Sequence, residues 1–356
     1  MSSNIYKSKT ILQVLPSLFS GGVERGTIEI AKALKAEGFN SIVVSSGGKM
    51  VDELTSTGTE HIVMPVNNKN PINIWYNSLK LTKLIKEKKI DIIHARSRAP
   101  AWSCILASKK SNVHFVTTFH CIYNFNNIFK KYYNSIMTKS DKVIAVSNFV
   151  KKHIIENYHI SGNKITTIHR GVNHQYFSPN NVSDKDISLF KKKYNINEKK
   201  PIILMPSRFT RWKGHEVLIH ALSKINNQMF YCLLVGDSAN HQQYLNELHQ
   251  LINKYNLNNK IGIFPNEKEM DKLYAISNII ISSSLRPEAF GRTIIEGQAM
   301  EKLVIATNIG GAAETIIDGK NGFHVTPGNI DDLTKKIKKC FELLQNGKDK
   351  MITELA

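Results

Sequence analysis

Short runs of β-branched and aliphatic residues recur along the whole chain, and stretches with helical periodicity separate many of them. In the first half the strand-like runs are residues 10–15, 41–45, 61–66, 91–95, 114–118, 142–146 and 165–168. In the second half they are 202–206, 231–235, 261–264, 279–282, 303–306 and 322–325. The helix-like stretches include 24–36, 74–87, 216–224, 242–254 and 330–344. This alternation predicts an α/β fold in which helices cover both faces of parallel sheets.

The chain has 356 residues, which at ~150 residues per domain predicts two domains. The clearest break is a polar, Asn- and Lys-rich segment that starts at Ser178-Pro179. We therefore expect an N-terminal domain over residues 1–178, a linker over 179–200 and a C-terminal domain over 201–356. Two doubly wound domains that face each other place a ligand cleft between the carboxyl ends of their sheets.

Composition excludes several classes of protein. Hydrophobic residues make up 42% of the chain and charged residues 22%, as in globular and unlike disordered proteins. No apolar run approaches the ~20 residues of a membrane-spanning helix, and the N-terminal segment lacks the apolar core of a signal peptide. Four scattered cysteines without a CxxC pair argue against a disulfide scaffold and a thiolate metal site. We expect a cytoplasmic protein that holds no metal.

The formal net charge is +19, from 48 Lys and Arg against 29 Asp and Glu. Three interpretations are open: a nucleic-acid partner, an anionic membrane surface, or the Lys-rich composition of an AT-rich genome. Only eight of these cations are Arg, and each follows a strand-like run or begins a helix-like stretch. Because Arg contacts phosphate through a two-pronged fork and Lys does not, this placement suggests anion sites.

Gly21 and Gly22 lie between the first strand-like run and the first helix. Paired glycines at such a turn let the backbone approach a phosphate, and the helix that follows offers free N–H groups. A plain tight turn is the alternative interpretation. The sequences GxxxxGK[ST] and GxGxxG are both absent from the chain, so neither of those nucleotide motifs applies.

Arg208 and Lys213 flank the turn after the strand at 202–206. Two cations at the carboxyl end of a strand suit a diphosphate, whose charge must be neutralised before it departs. The alternative is a solvated basic loop.

Residues 286–296, RPEAFGRTIIE, follow the strand at 279–282 and enter a helix. Glu288 lies in the loop and Glu296 about a turn inside the helix, so both can point toward one ligand. A carboxylate accepts two hydroxyl hydrogen bonds, which suits the vicinal diols of a sugar and a ribose. Backbone N–H groups between the two glutamates can hold a phosphate, and these belong to Phe290, Gly291, Arg292 and Thr293. A helix cap for Glu288 and a surface carboxylate for Glu296 are the alternatives.

As a set, the glycine turn, the stretch SRFTRWKG and the two glutamates of EAFGRTIIE resemble the retaining glycosyltransferases of family four. That family has the GT-B fold, in which two Rossmann-like domains face each other with the active site in the interdomain cleft. The stretches LLVGD, RPEAFGRTIIEGQAM, TFHCIYNF and DKVIAVSNFV are most similar to the bacterial lipopolysaccharide core mannosyltransferase-like branch. The resemblance extends over about residues 10–345.

The resemblance implies transfer of a hexose, with mannose favoured, from GDP-mannose or a UDP-hexose with retention of anomeric configuration. It implies no cofactor and no metal. By their match to the family motif, Glu288 holds hydroxyls of the donor sugar and Glu296 holds the ribose diol. Arg208 and Lys213 match the pair that neutralises the diphosphate.

Further roles follow from the same resemblance. Gly21 and Gly22 match the loop over the donor, Gly236 lines the nucleotide side, and His120 matches a histidine near the reacting sugar. An ordinary core histidine is the alternative for His120. Asp184-Lys185-Asp186 has the DxD form of metal-dependent glycosyltransferases, but we expect it to be exposed because it lies in the polar linker.

In a GT-B enzyme the first half binds the acceptor, and candidate residues there are Arg25, Arg96, Arg98 and Arg170. They suit an acidic or phosphorylated glycolipid, such as a lipopolysaccharide core. Residues 123–133, which mix aromatics with Lys, would rest on the anionic inner face of the cytoplasmic membrane. The alternative is a buried helix with a Lys-bearing outer face. Relatives continue with a further helix after residue 356, which leaves the activity of this shorter chain open.

Other functions fit parts of the sequence. A nucleotide-sugar epimerase or a phosphorylase would use the same fold, although no pyridoxal lysine is evident. A non-enzymatic basic protein that binds membranes or nucleic acid has only the net charge of +19 in its favour. The ordered set of motifs favours the glycosyltransferase without a nucleic-acid partner.

Overall fold

The structure is a computed structural model that describes residues 9–19, 21–196, 200–225, 230–237, 241–265 and 267–350. Contacts divide the chain into two compact units, Met1–His169 and Arg170–Ala356. Each unit contains one parallel sheet accompanied by helices, which confirms the predicted α/β class.

Within its described residues, the first unit contains a seven-stranded sheet. Its strands are β1 (Thr10–Val14), β2 (Asn40–Ser45), β3 (Glu60–Val63), β4 (Ile92–Ala95), β5 (His114–Phe119), β6 (Lys142–Ala145) and β7 (Ile165–Thr167). Its helices are α1 (Gly22–Ala36), α2 (Val51–Thr55), α3 (Pro71–Glu87), α4 (Arg98–Ser111), α5 (Ile128–Ser135) and α6 (Asn148–Tyr158).

The strand order of the first sheet is β3-β2-β1-β4-β5-β6-β7, and all neighbours are parallel. Since parallel strands end at the same edge, the segments that follow β1, β4 and β5 lie side by side. That edge therefore carries the glycine turn, the first residues of α4 and His120. Side chains such as Leu12, Val14 and Ile93 are fully buried in this sheet, as expected for strands that are covered on both faces.

The second unit contains a six-stranded sheet within its described residues. Its strands are β8 (Ile202–Pro206), β9 (Tyr231–Gly236), β10 (Ile261–Pro265), β11 (Ile279–Ser282), β12 (Leu303–Thr307) and β13 (Phe323–Val325). Its helices are α7 (Asp184–Lys193), α8 (His215–Ser223), α9 (Gln242–Lys254), α10 (Met270–Ile276), α11 (Arg292–Ala299) and α12 (Ile330–Gln345).

The strand order of the second sheet is β10-β9-β8-β11-β12-β13, again parallel throughout. Alternate side chains of β8 enter two different hydrophobic clusters: Ile203 and Met205 lie in one, and Leu204 in the other. The two clusters cover the two faces of the sheet, which explains why its strands are mostly apolar. The loops after β8 and β11 emerge next to each other because these strands are neighbours.

The segment predicted as a linker differs from the prediction. It contains α7, and Phe190 of α7 is 5% exposed in a hydrophobic cluster with Leu204 and Tyr274 of the second unit. The Ser183 hydroxyl and the Asp186 carboxylate form a reciprocal capping box at the start of this helix. Burial of apolar side chains within 177–196 thus makes this segment part of the second unit, and the division between units lies at His169, before the predicted boundary.

Candidate functional site

The two loops that carry most of the predicted site residues contact each other at the carboxyl edge of the second sheet. The backbone N–H of Leu285 donates to the Trp212 carbonyl over 2.7 Å, and the Ser283 hydroxyl donates to the Gly214 carbonyl over 3.0 Å. Gly214 has φ +80°, and a Cβ there would lie 2.0 Å from the carbonyl oxygen of Ser283. Only glycine fits this close approach, which fixes the loop of Lys213 against the loop that leads to Glu288.

Lys213 and Glu288 form an ion pair across these loops. Lys213 Nζ lies 2.8 Å from Glu288 Oε1, and the two side chains are only 13% and 15% exposed. The same carboxylate oxygen accepts hydrogen bonds from the hydroxyls of Ser284 and Ser282. Burial alone would raise the pKa of Glu288, but the Lys213 charge and these donors outweigh it and lower the pKa. The Glu288 carboxylate is therefore ionised at neutral pH.

The segment that follows β12 holds the backbone of Glu288 in place. Glu288 forms a parallel bridge with Gly310, and its carbonyl accepts from the N–H of Gly311 over 2.7 Å. Gly291, with φ +85°, precedes α11, and a Cβ there would approach Ala312 Cβ to 2.9 Å. These contacts hold the carboxylate and the beginning of α11 in fixed relative positions.

Glu296 lies in α11 between two partners. Arg292 Nε is 3.4 Å from Glu296 Oε1, and the buried hydroxyl of Tyr274 donates to Glu296 Oε2 over 3.0 Å. Burial and the nearby carboxylate raise the pKa of Tyr274, so its hydroxyl keeps its proton and donates. Sequence reasoning missed Tyr274, which comes from α10 and has no local motif.

His215 is a second residue that sequence reasoning missed, although it directly follows the predicted KG pair. Its ring is fully buried, stacks on Phe209 at 5.1 Å between centroids, and shares a 3.0 Å hydrogen bond with the Ser207 hydroxyl. Burial, followed by the charge of Lys213, lowers the pKa of His215 to about 3. A neutral imidazole therefore supports the turn that carries the two predicted cations.

The remaining predicted residues of the second unit lie at the same edge. The Arg208 side chain is exposed after β8. A Cβ at Gly236, which ends β9, would lie 2.0 Å from the Ser207 carbonyl oxygen, so glycine is needed there for close backbone contact. Phe290 is 5% exposed, which leaves its backbone rather than its ring for a ligand. Thr293 is partly buried in the first turn of α11.

In the first unit, Gly21 precedes α1 with φ +129°, and Gly22 is the first residue of that helix. Both are exposed, so this turn is open to solvent. His120 directly follows β5 and is partly buried. The predicted positions of these residues at strand ends are therefore observed, while their roles stay predictions.

The four candidate acceptor arginines have different surroundings. Arg25 forms an exposed ion pair with Glu53. Arg96 is 4% exposed, and its Nη1 donates to the buried Gln13 side chain over 3.0 Å, so it belongs to the interior of the first unit rather than to a ligand-facing surface. Arg170 is the first residue of the second unit and not part of the acceptor-side half where it was predicted.

Arg98 is the fourth of these arginines. Its guanidinium is 4.3 Å from the centroid of the Tyr123 ring, and Nη1 donates to Asn134 Oδ1 over 2.7 Å. The side chain is partly buried at the start of α4. Of the four, Arg98 alone combines partial exposure, a place at the carboxyl edge of the first sheet and neutral partners.

The predicted DxD sequence begins a helix. Asp184 and Asp186 lie in the first turn of α7, where Asp186 caps the helix and lies 3.4 Å from Lys272 Nζ. Among the described residues, no group of three or more His, Cys, Asp or Glu side chains is placed to hold a metal ion. In that same part of the chain, no helix combines the length and apolar character needed to cross a membrane.

Known proteins match both units. Residues 20–176 match the profile "Glycosyltransferase Family 4", and residues 186–353 match "Glycosyl transferases group 1". A glycosyltransferase from Rickettsia africae is 54% identical, with a TM-score of 0.92 over 98% of this chain and 92% of that one. HepE from Anabaena, crystallised with UDP-glucose, is 25% identical, with a TM-score of 0.83 over 97% of this chain and 93% of that one.

A curated relative agrees with these matches. An uncharacterised glycosyltransferase of Methanocaldococcus jannaschii is 29% identical over 288 residues, which are 77% of this chain and 72% of its own length. Two parallel α/β units, matches in both of them and the 54% identity to a solved glycosyltransferase all agree with the resemblance found in the motifs. The chain therefore belongs to the glycosyltransferases, as an enzyme with the GT-B fold.

Proposed function

We propose that this enzyme transfers a hexosyl group from a UDP-hexose to a hydroxyl of a glycolipid, with retention of anomeric configuration and without a metal ion. The observation that carries the proposal is the Lys213–Glu288 pair at 2.8 Å. It joins an ammonium, which suits a diphosphate, to an ionised carboxylate, which accepts hydrogen bonds from sugar hydroxyls. A donor that bridges both groups would present its reacting bond between them.

The donor would occupy the edge formed by the loops after β8 and β11. Lys213 and the exposed Arg208 would neutralise the diphosphate, with the N–H groups at the start of α11 as further donors. Glu288 would accept from hydroxyls of the hexose. Glu296, already oriented by Tyr274, would accept from the ribose diol.

In the proposed reaction the bond between the anomeric carbon and the diphosphate oxygen breaks, and its electron pair stays on that oxygen. The acceptor oxygen forms the new bond on the same face of the sugar, and its proton passes to the departing diphosphate. Negative charge on the leaving group grows as the bond breaks, so Lys213 and Arg208 would stabilise the transition state more than the ground state. His120 of the first unit would lie near the reacting sugar.

The nucleotide is proposed from a comparison. GDP-mannose and a UDP-hexose were both open from the motifs, and HepE was crystallised with UDP and with UDP-glucose. At 25% identity over 97% of this chain, HepE favours uridine. A lipopolysaccharide-type acceptor and mannosyl transfer remain proposals that rest on the motif resemblance alone, and the family matches do not favour an epimerase or a nucleic-acid-binding protein.

The acceptor is proposed to be lipid-linked because of α5. Ile128, Phe129 and Tyr132 in this helix are 71%, 82% and 67% exposed, and Lys130 and Lys131 lie among them. The alternative of a buried helix with only lysines outside does not describe this arrangement. An exposed apolar face with interspersed lysines suits an anionic membrane surface, on a chain of net charge +19.

A thermal-shift series with UDP, GDP, CDP and ADP, each in excess EDTA, tests the proposal. Because a ligand that binds the native state raises the melting temperature, we expect UDP to raise it selectively and in the presence of EDTA. Lys213→Gln should abolish this shift. Lys336→Gln is the matched control, since Lys336 also pairs with a carboxylate of the second unit, Asp318 at 3.3 Å, but lies elsewhere.

Turnover of UDP-glucose with a glycolipid acceptor, followed by NMR of the product anomer, tests transfer and retention together. A rise in melting temperature with GDP alone would show that the donor carries guanosine and not uridine. A requirement for Mg²⁺ in turnover would contradict the metal-independent reaction. No shift with any nucleotide would contradict the donor site.

A further inference from the structure

The surroundings of Arg98 are unusual for a partly buried cation. Arg98 follows β4, Tyr123 follows β5, and Asn134 lies near the end of α5, so three segments converge on one guanidinium. Tyr123 is 6% exposed and packs on Phe119 at 5.0 Å between ring centroids, and Asn134 is fully buried. The guanidinium thus rests on a fixed aromatic and amide support.

Both of these partners are neutral. Within the described residues, Arg98 forms no ion pair, and one of its five N–H donors makes a hydrogen bond. Other arginines of this chain do pair with carboxylates: Arg25 pairs with Glu53. Arg211 pairs with Glu247. The positive charge of Arg98 is therefore not compensated by this part of the chain, and most of its fork remains available to a ligand.

Two buried polar atoms without partners in the described part of the chain lie on a pair of stacked aromatic rings, and the charge of Arg98 acts on one of the two residues, Tyr133. The indole Nε1 of Trp102 and the hydroxyl of Tyr133 are buried and have no hydrogen-bond partner among the described residues. Their rings stack at 6.1 Å between centroids with 27° between planes. Buried donors are normally satisfied, so an unpartnered Tyr133 hydroxyl near Arg98, with an unpartnered indole stacked on its ring, indicates a place where an acceptor atom of a ligand binds.

The electrostatics of the neighbouring groups agree with this geometry. Burial raises the pKa of Tyr123 and of Tyr133, and the charge of Arg98 opposes that rise at both. One positive charge thus acts on the whole cluster. Arg98 and Tyr123 follow neighbouring strands of the first sheet, so the cluster lies in the unit that the motif resemblance assigns to the acceptor.

We propose that Arg98 is a specificity-determining residue that binds an anionic group, a carboxylate or a phosphate, on the acceptor. This inference rests on the proposed transferase function and adds the chemical class of its acceptor. The planar fork of Arg binds either anion with two parallel hydrogen bonds, and the Trp102 and Tyr133 donors would satisfy a further oxygen. Arg25, Arg96 and Arg170 have no corresponding role in this proposal.

Ligand-observed NMR titrations with three matched sugars test the proposal: D-glucose, D-glucuronic acid and D-glucose 6-phosphate. The protein variants are wild type, Arg98→Gln, Arg98→Lys and Lys110→Gln. Lys110 is an exposed residue at the other end of α4, so its variant removes the same charge away from the cluster. Each variant is also titrated with UDP in a thermal-shift experiment, which reports on the proposed donor site.

We expect wild type to bind at least one charged sugar about tenfold more tightly than glucose, since charge-assisted forks are the stronger contacts. Arg98→Gln should remove that preference and leave glucose binding unchanged. Arg98→Lys should keep part of it, and Lys110→Gln should keep all of it. A preference for glucuronic acid identifies a carboxylate as the group, and a preference for glucose 6-phosphate identifies a phosphate.

Equal affinity of wild type for the three sugars, or no measurable binding of any of them, would overturn the inference. So would a charge preference that survives in Arg98→Gln. If Arg98→Gln does not fold, the wild-type preference and its partial retention in Arg98→Lys still decide the question. If UDP does not raise the melting temperature of wild type, the proposed transferase function is contradicted instead. Failure of the Arg98 proposal and failure of the proposed function are therefore distinguishable.

Discussion

The hydroxyl of Tyr274 donates a hydrogen bond of 3.0 Å to Glu296 Oε2 from within the hydrophobic core of the second unit. The same hydroxyl lies 3.3 Å from the carbonyl oxygen of Thr293, one turn earlier in α11. A core residue of α10 thereby sets the orientation of a carboxylate on the neighbouring helix. Tyr274 is a positioning residue, because it acts on the proposed ribose contact through Glu296.

Replacing Tyr274 with Phe removes this hydrogen bond and keeps the ring. We expect the Kd for UDP and the KM for the donor to rise about fivefold, equivalent to roughly 1 kcal/mol. The kcat should stay close to that of wild type, because Glu296 does not contact the breaking bond. Tyr255→Phe is the control, since Tyr255 makes a comparable 3.0 Å hydrogen bond to His220 away from the site. Equal KM values in both variants would show that the Tyr274 hydroxyl is only structural.

Glu288→Gln separates nucleotide binding from transfer. The ionised Glu288 competes with a diphosphate for Lys213, so removal of its charge should leave UDP binding intact or strengthen it. Transfer should fall about a hundredfold or more, since the carboxylate no longer contacts the sugar. Steady-state turnover and a UDP thermal shift on the same preparation measure both effects. Full activity in a folded Glu288→Gln enzyme would contradict the site assignment.

A second carboxylate, that of Glu267, is expected to make the free energy of unfolding depend on pH. Burial would raise the pKa of Glu267, but hydrogen bonds from Lys193, from Tyr194 and from backbone N–H groups lower it to about 2. A carboxyl group whose pKa is lowered on folding stabilises the native state above its unfolded pKa, ~4.3. That stabilisation is lost as the pH falls from about 5 toward 2.

We therefore expect wild type to exceed Glu267→Gln in free energy of unfolding by about 1 kcal/mol at neutral pH, and the difference to vanish near pH 2. Urea denaturation at a series of pH values measures it. Asp331→Asn, which removes an exposed pair with Lys224, should show a smaller effect. A difference that persists unchanged at low pH would show that Glu267 acts through its size and not through its charge.

The exposed face of α5 predicts membrane binding. Wild type should float with vesicles that contain phosphatidylglycerol and much less with phosphatidylcholine alone, and salt should weaken the binding. Phe129→Ser should weaken it roughly tenfold, because a large apolar side chain no longer enters the bilayer interface. Val63→Ser serves as the control, since Val63 is 72% exposed on β3 of the same unit. Equal flotation of all three proteins would contradict the assignment of α5.

Local sequence patterns predicted the strands well and one helix poorly. Strands such as β8 and β11 are almost entirely apolar because both sheet faces are covered, and this signal needs no long-range information. The helix α7 is rich in Lys and Asp and has few apolar residues, so its sequence was interpreted as part of a polar linker. Its capping box at Ser183 was the available signal, and the burial of Phe190 could be known only from the fold.

The site was predictable where its residues follow the strands of one parallel sheet. Lys213, Glu288 and Glu296 each follow a strand of the second sheet within about a dozen residues, so their convergence follows from parallel topology. Tyr274 could not be found in this way, because its contact with Glu296 joins two helices through the core. Arg96 and Arg98 are two residues apart after β4, and only side-chain burial distinguishes the interior one from the accessible one.

The close approach of Gly214 to Ser283 has a consequence for ligand affinity. Because the backbones of the two loops touch, Lys213 and Glu288 cannot be displaced independently, and any rearrangement must move both as a single body. The charged groups are thus preorganised, and little conformational entropy remains to be lost when they are engaged. The entropic cost of binding then falls mainly on the flexible diphosphate and sugar of the incoming molecule.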